Sequence, residues 1–422
     1  MSINTNTNTN TNTNTDPDTR SDSSTSTSTS NSNSKKTQNR QQISAYEALP
    51  GVFQEEFSPE GRLKVSFGPQ HPGSGHMRII LTINGDIVED AIPDVGYVHR
   101  GVEKMCEYKN YIQNIPHIER PAIHDSAGTT LPYILAVEKL LDLTEKVPER
   151  AQYIRIILAE MNRIINHFYF LGILGIFMGH STVTTWGMGD RELMIETAAM
   201  MTGARVTFSF IVPGGVRTDT PYGFEDRLLK SCDYLESRMK AYRDYLFENP
   251  FARMRMEGVG IIKKSDAISL GLVGPTLRGS GVRSDVRKDE PYILYDTIDF
   301  SIPSYEEGDA MARTKVHFDE IIQSISIIRQ ALKKMKPGPV KIPLRGQIRG
   351  KVGDAYARVE GARGMNSYYI ISDGQVHPYR VRVNTADSRN LAVMRKVLQG
   401  VKVADVPVVH WSLDYWPVAA DR

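Results

Sequence analysis

The sequence predicts an α+β chain in which a central helical bundle lies between two small antiparallel sheets. Three observations predict it. Apolar residues alternate between Arg62 and Asp90, follow three-four spacing through the middle of the chain, and alternate again after Pro339. Of the 422 residues, positions 2–34 are almost wholly Asn, Thr and Ser. Such a stretch offers no apolar surface to offset the entropy of ordering, so residues 1–43 are expected to form a disordered tail. The rest divides into an N-terminal β-sheet region with a His-Pro loop (44–93), a helical bundle (94–338) and a C-terminal α+β region (339–422).

Each element has its own signal. Leu63–Phe67 and Ile79–Ile83 read as strands, and Asn84-Gly85 before Ile87-Val88 marks a hairpin. Between the first two strands, Gly68–His76 holds too many glycines and prolines for a regular element. Ile154, Ile157, Leu158, Met161, Ile164, Ile165 and Phe168 lie on one helix face, with Pro148 and Glu149 suited to its first turn. That helix becomes apolar on all sides through Phe168–Met178, as in a core enclosed by other helices. Shorter helices are expected at 98–112, 124–143, 189–202 and 222–247. A late one carries Ile321, Ile325, Ile328, Leu332 and Met335 and stops at Lys336-Pro-Gly-Pro339. Strands follow at 355–359, 367–371 and 379–383, with Asp373-Gly374 turning the second into the third.

Composition excludes several functions. Lysine and arginine total 51 against 49 acidic residues, a balance that argues against a dedicated nucleic-acid binder. Two cysteines, Cys106 and Cys232, cannot supply a disulfide framework, a four-thiolate zinc site or an iron–sulfur cluster. A reducing intracellular compartment fits that usage. The apolar run Phe168–Met178 is too short to span a bilayer, which needs about 20 such residues. Membrane association is therefore expected to be peripheral, through partners. There is no Gly-x-Gly-x-x-Gly after a strand, no Walker loop, no His-Glu-x-x-His and no Gly-x-Ser-x-Gly. Leu277–Arg283 contains Gly-Ser-Gly and reads as a crowded loop.

The histidines carry most of the remaining chemistry. His71 and His76 sit in the Gly/Pro loop, where they could bind a metal, donate to a carbonyl or stay solvated. His99-Arg100 opens a helix with Glu103 and Lys104 one turn on, consistent with capping and surface pairing. His117, Arg120 and His124 share helical spacing, and His167 reads as a core residue.

The motifs Phe67-Gly-Pro-Gln-His-Pro72, Gly96-Tyr-Val-His-Arg-Gly-Val-Glu-Lys104, Tyr108-x-x-Tyr-Ile-Gln113, Ala136-Val-Glu-Lys-Leu-Leu141, Arg191-Glu192, Pro213-Gly-Gly-Val216 and Gly279–Lys288 occur in a fixed order. Ser372-Asp-Gly374, Pro378-Tyr-Arg380 and Asp421-Arg422 complete it. From about Arg62 onward the chain closely resembles the D-type subunits of NADH-quinone oxidoreductases, the hydrogenase-like large subunits of respiratory complex I, in a divergent or archaeal branch. The resemblance implies the nickel–iron hydrogenase large-subunit fold. It places Arg120–His124 and Asp414–Pro417 where hydrogenases carry cysteine pairs, so no metal is expected on this chain. It implies a quinone headgroup bound in the vacated cavity by His71, His76, Ile123, His124 and Phe177. Arg100 and Arg120 are placed near an iron–sulfur cluster held by a small partner subunit. Other peripheral-arm subunits and a membrane-arm subunit at the quinone entrance are the further partners implied. The location implied is the cytoplasmic face of the cell membrane, and the electron donor is left open between NADH, ferredoxin and a deazaflavin.

The chain also departs from the family. Ile123 stands where the family has a tyrosine, Phe177 where it has an aspartate, and Thr207 or Phe208 where many relatives have a histidine. The segment between Pro339 and Ala355 is short for the helix usually found there. The alternative to a quinone-binding redox subunit is a structural subunit of the same complex that has lost its quinone site.

Overall fold

A computed structural model describes residues 56–57, 62–344 and 346–422. The expected tail and most of 44–61 lie outside the described residues. Strands β1 (Glu56–Phe57), β2 (Leu63–Phe67), β3 (Arg78–Asn84) and β4 (Ile87–Asp94) form an antiparallel sheet in sequence order. The Asn84-Gly85 hairpin joins the last two, and the pairing skips Glu89 opposite Thr82 and Ile83, a bulge that bends β4.

The bundle is built on α3 (Glu149–Met178), preceded by α1 (Val102–Tyr108) and α2 (Ser126–Leu140) and followed by α4 (Ser181–Thr202), α5 (Phe224–Leu246) and α6 (Ala310–Lys334). Ile154, Ile157, Met161, Ile164, Phe168, Leu171 and Leu174 are buried along its apolar face. α3 and α4 approach closely at glycines. A Cβ on Gly187 would stand 2.9 Å from Gly172 Cα, and one on Gly175 2.7 Å from Thr184 Oγ1. That contact extends α4 eight residues ahead of its expected start at 189. Local β-branched and glycine content argues against helix there, and packing against α3 overrides it. The expected helix at 98–112 is instead the seven-residue α1 followed by a short helix Ile115–Glu119. α6 begins eleven residues before Ile321, because its first half buries Met311, Val316 and Phe318 beside Arg313 and His317.

Two-residue strands β5 (Ile211–Val212) and β6 (Gly215–Val216) make a small ladder, and β7 (Gly353–Gly361), β8 (Gly364–Ser372) and β9 (Arg380–Asn384) form a third antiparallel sheet. β7 and β8 turn at Ala362-Arg363, which carries Arg363 into the interior. Gly279 lies against the Arg313 backbone, the crowding expected of the Gly-Ser-Gly loop. No helix among the described residues is long and apolar enough to cross a membrane.

Candidate functional site

The site grows from a break in the chain ahead of α2. Residues Arg120–Asp125 form a tight turn interrupted at Ala122 (φ −119°, ψ 66°). Asn162 on α3 fixes the exit, donating from Nδ2 to His124 O at 3.0 Å and accepting Ala127 N–H at 2.8 Å. His124 is thereby held against α3, its ring stacked on Tyr169 with centroids 3.9 Å apart. Trp416 meets the other side of His124 edge-on at 5.2 Å. Tyr169 also touches Trp411, and Trp411 touches Phe177 at 5.6 Å. Four aromatic rings and an imidazole thus line one region, with half-buried Ile123 beside His124 in sequence.

Polar groups around these rings are poorly satisfied. Arg191 on α4 lies over Tyr169 at 5.3 Å, and its Nη2 donates to His124 Nδ1 at 3.3 Å. It makes no ion pair among the described residues, and its buried Nε has no partner. Arg363 lies over Trp416 at 5.8 Å with Nη1 unpartnered, and Trp416 Nε1 is a buried donor without an acceptor. Three buried N–H groups without acceptors in one cluster are uncommon in a folded protein and point to a missing acceptor. They suit a ligand with electron-rich oxygens and a flat, apolar body.

Charge state follows from the neighbours. Burial, then the positive charges of Arg363 and Arg191, pull the His124 imidazolium down to about 3. Since Arg191 donates to Nδ1, neutral His124 carries its proton on Nε2. It can donate a hydrogen bond but holds no spare proton near neutral pH. Burial raises the Tyr169 phenol and lowers the Arg191 guanidinium.

The structure places the other expected residues as follows. His71 is exposed, its ring 4.3 Å from Phe67 and its Nδ1 accepting Gly73 N–H at 3.0 Å. His76 is exposed with φ +74°. Neither ring contacts His124. Their loop meets the same C-terminal segment instead: a Cβ on Gly75 would lie 3.2 Å from Pro417, next to Trp416. Arg100 and Arg120 are exposed, and neither guanidinium makes a hydrogen bond or ion pair among the described residues. With Lys109 they surround His117, which burial and then these cations hold below its ordinary range.

Sequence reasoning singled out His124 but missed Tyr169, Trp416 and Arg363, and Arg191 figured only as part of a motif. The C-terminal segment gathers the site. Asp421 Oδ2 accepts Gly96 N–H at 2.9 Å and Val98 N–H at 3.1 Å, and His99 Nδ1 reaches Asp421 O at 2.6 Å.

Below the rings, His167, His317 and Asp414 bring ring nitrogens and a carboxylate within 4.8 Å of one another. Most of their polar atoms are engaged by protein: His167 Nε2 donates to Glu320 at 2.9 Å, His317 Nδ1 to Arg313 O at 2.8 Å, and Asp414 accepts Asn166 Nδ2 at 2.8 Å, while His167 Nδ1 has no partner among the described residues. Arg163, Arg313 and Arg363 nearby disfavour an added cation, so the trio reads as a hydrogen-bonded set. A cleft of about 370 Å³ lined by Glu138, Arg155, Tyr292 and Arg358 shares no residue with the ring cluster. Its Arg155 is spent on Glu138 at 2.6 Å, which leaves little free chemistry.

Known proteins resemble this chain over most of its length. The family described as "Respiratory-chain NADH dehydrogenase, 49 Kd subunit" matches residues 178–349 and 344–422. A protein of Thermosipho melanesiensis, named as the D-type subunit of NADH-quinone oxidoreductase, is 39% identical over 86% of this chain and 100% of its own length. One of Desulforamulus reducens with the same name is 37% identical over 83% of this chain and 95% of its own. A chain of the membrane-bound sulfane sulfur reductase, described as an archaeal respiratory membrane complex, superposes with a TM-score of 0.83 at 36% identity, covering 86% of this chain and 99% of that one. Sequence, fold and the ordered blocks therefore converge: this chain belongs to the family of the respiratory-chain NADH dehydrogenase 49 Kd subunit.

Proposed function

We propose that this chain is the quinone-binding subunit of a membrane-associated respiratory oxidoreductase complex, with the acceptor headgroup held among His124, Tyr169, Trp416 and Arg191. The carrying observation is the set of buried donors without acceptors on Arg191, Arg363 and Trp416. A quinone carbonyl gains negative charge on reduction, and fixed donors with a nearby cation stabilise that charge as it develops. The rings supply the apolar walls that a flat headgroup requires. Ile123 and Phe177 add bulk to the pocket without adding donors. The exposed loop of His71 and His76 borders the pocket through Pro417 and serves as its flap.

Electrons come from an iron–sulfur cluster on a small partner subunit. The unpaired Arg100 and Arg120 beside His117 form a basic edge suited to that contact, where positive charge favours a reduced cluster. Nearby exposed Met105, Tyr108 and Ile112 give the same edge an apolar component. The remaining contacts are to other peripheral-arm subunits and to a membrane-arm subunit at the quinone entrance, on the cytoplasmic face of the membrane.

The test is an assembled complex carrying His124→Ala or His76→Ala. Both should impair quinone reduction while donor oxidation by a soluble artificial acceptor survives. Unchanged quinone turnover in both would favour a scaffold role. A second acceptor is suggested by the sulfane sulfur reductase likeness: a linear polysulfide is anionic and also suits unpaired Arg191. Turnover with polysulfide but not with quinone would select it.

A further inference from the structure

Behind Trp416, one arginine meets two carboxylates. Arg363 Nε lies 3.3 Å from Asp414 Oδ1 and 3.9 Å from Asp387 Oδ1, and all three side chains are buried. Their other partners are unequal. Asp414 Oδ2 accepts Asn166 Nδ2 at 2.8 Å and faces His317 Nε2 at 3.3 Å. Asp387 Oδ1 accepts the backbone N–H of Trp416 at 2.7 Å, and among the described residues no side chain other than Arg363 approaches it as a donor. A single cation in a dry setting cannot hold both carboxylates ionised equally. The carboxylate with more donors, Asp414, keeps the negative charge, and Asp387 is left to exchange a proton.

The charge states agree with that division. Burial pushes the Asp387 carboxyl up to about 6, against the pull of Arg363 and the Trp416 N–H. For Asp414, burial is opposed by Arg363 and His317, which together hold it below the ordinary carboxylate range. Asp387 is faced by Arg363 from the β7–β8 turn, by Asp414 and the Tyr415 phenol from the C-terminal segment, and by buried Asp125 ahead of α2. On its own short helix, Arg389 turns to Asn384. The rings of the site offer no alternative. His124 is neutral with Nδ1 occupied, the Tyr169 phenol is raised, and Ile123 and Phe177 carry no exchangeable proton.

We propose that Asp387 is the proton-exchanging carboxylate of the acceptor site, one peptide removed from the Trp416 indole that lines it. This rests on the quinone reading above. Two electrons delivered from the partner subunit's iron–sulfur cluster reduce the quinone, and negative charge on its oxygen draws a proton from solvent onto Asp387. The Asp387 O–H bond then breaks as an O–H bond forms on the quinol, and the carboxylate returns to its starting state. The second proton reaches the other oxygen independently.

The experiment uses the assembled complex with Asp387→Asn and Asp387→Glu. Asparagine keeps an oxygen for the Trp416 N–H, so a structural role survives it, whereas proton exchange does not. Asp387→Asn should reduce quinone turnover about a hundredfold, within the usual range for losing a general acid–base group. It should also remove the pH dependence of turnover around pH 6. Quinone binding and artificial-acceptor turnover should persist, and Asp387→Glu should restore part of the rate and the pH profile. Infrared titration provides a readout independent of quinone: the wild-type-minus-Asp387→Asn difference, in which the raised carboxyls of Asp125 and Glu360 cancel, should hold a protonated-carboxyl band that titrates near pH 6. Wild-type turnover and pH profile in Asp387→Asn would overturn the proposal, as would a wild-type-minus-variant difference spectrum with no titrating carboxyl band. Failure of the wild-type complex to bind quinone at the rings, with the band present and lost in Asp387→Asn, would instead overturn the quinone reading.

Discussion

Two buried polar regions share the long helix α3, and they are finished differently. In the charged core, Glu160 accepts from Arg287 at 3.0 Å, Arg163 at 3.2 Å, Tyr295 at 2.6 Å and Ser324 at 2.7 Å. Arg278 binds Glu320 at 2.5 Å and Glu360 at 2.7 Å, and Arg287 binds Asp285 at 2.6 Å. Among the described residues only Arg278 Nε and His167 Nδ1 there lack partners, on side chains otherwise bound to carboxylates. In the ring cluster, Arg191 has no carboxylate and three donors have no acceptor. A deeply buried network in which each arginine meets a carboxylate specifies the fold, and a shallower cluster with an unpaired arginine keeps room for a ligand.

The largest break in that contrast is Glu160→Ala. It takes one carboxylate from Arg163 and Arg287 and the acceptor from the Tyr295 and Ser324 hydroxyls, and should cost about 3–5 kcal/mol in unfolding free energy, the penalty for removing one partner of a buried ion pair. Thermal unfolding of the purified complex would show it. Trp416→Phe probes the other region and should behave oppositely. It deletes a donor that has no protein acceptor, so stability should shift by less than about 1 kcal/mol, while the quinone KM rises. Steady-state kinetics beside the same melting curve separates the two effects.

A third expectation concerns pH. Folding holds His124 at about 3 against an ordinary 6.5. The folded state therefore binds fewer protons than the unfolded one. The contribution to stability is full above 6.5 and is lost as pH falls toward 3, at up to about 1.4 kcal/mol per pH unit. His124→Phe keeps a ring on Tyr169 but cannot titrate, so its melting temperature should fall less steeply between pH 6.5 and 4. His410, buried elsewhere and lowered to about 4 by burial, serves as the control outside the site. The smallest effect is expected for Ile123→Tyr, which adds a donor at a half-buried position. It should change the preference between quinones more than it changes assembly, measured by comparing turnover on two quinone headgroups.

Much of the fold was legible because local pattern and packing agree. The Asn84-Gly85 hairpin, the start of α3 after Pro148 and the three late strands were placed from periodicity and turn chemistry. The N-terminal half of α4 was not, because its threonines and glycines suit helix only when α3 packs against Gly187. The first half of α6 was hidden by Arg313 and His317, polar residues that the core accepts through specific partners. At the site, His124 stood out as a histidine in a motif, and Arg191 stood in another with no role attached. Trp416 and Arg363 come from the C-terminal region and reach His124 only through long-range packing. The tryptophan in Asp414-Tyr-Trp-Pro417 was visible, but nothing local states that its indole meets an imidazole ahead of α2.

The central claim is that the unsatisfied ring cluster, and not the charge-paired core or the cleft beside Arg155, receives the acceptor. A structure of the assembled complex with a short-chain quinone bound tests it most directly. The account predicts a headgroup between Tyr169 and Trp416, with a carbonyl oxygen within hydrogen-bonding distance of Trp416 Nε1 or of the Arg191 or Arg363 guanidinium. A quinone seated elsewhere, with those three donors still unpartnered, would contradict it.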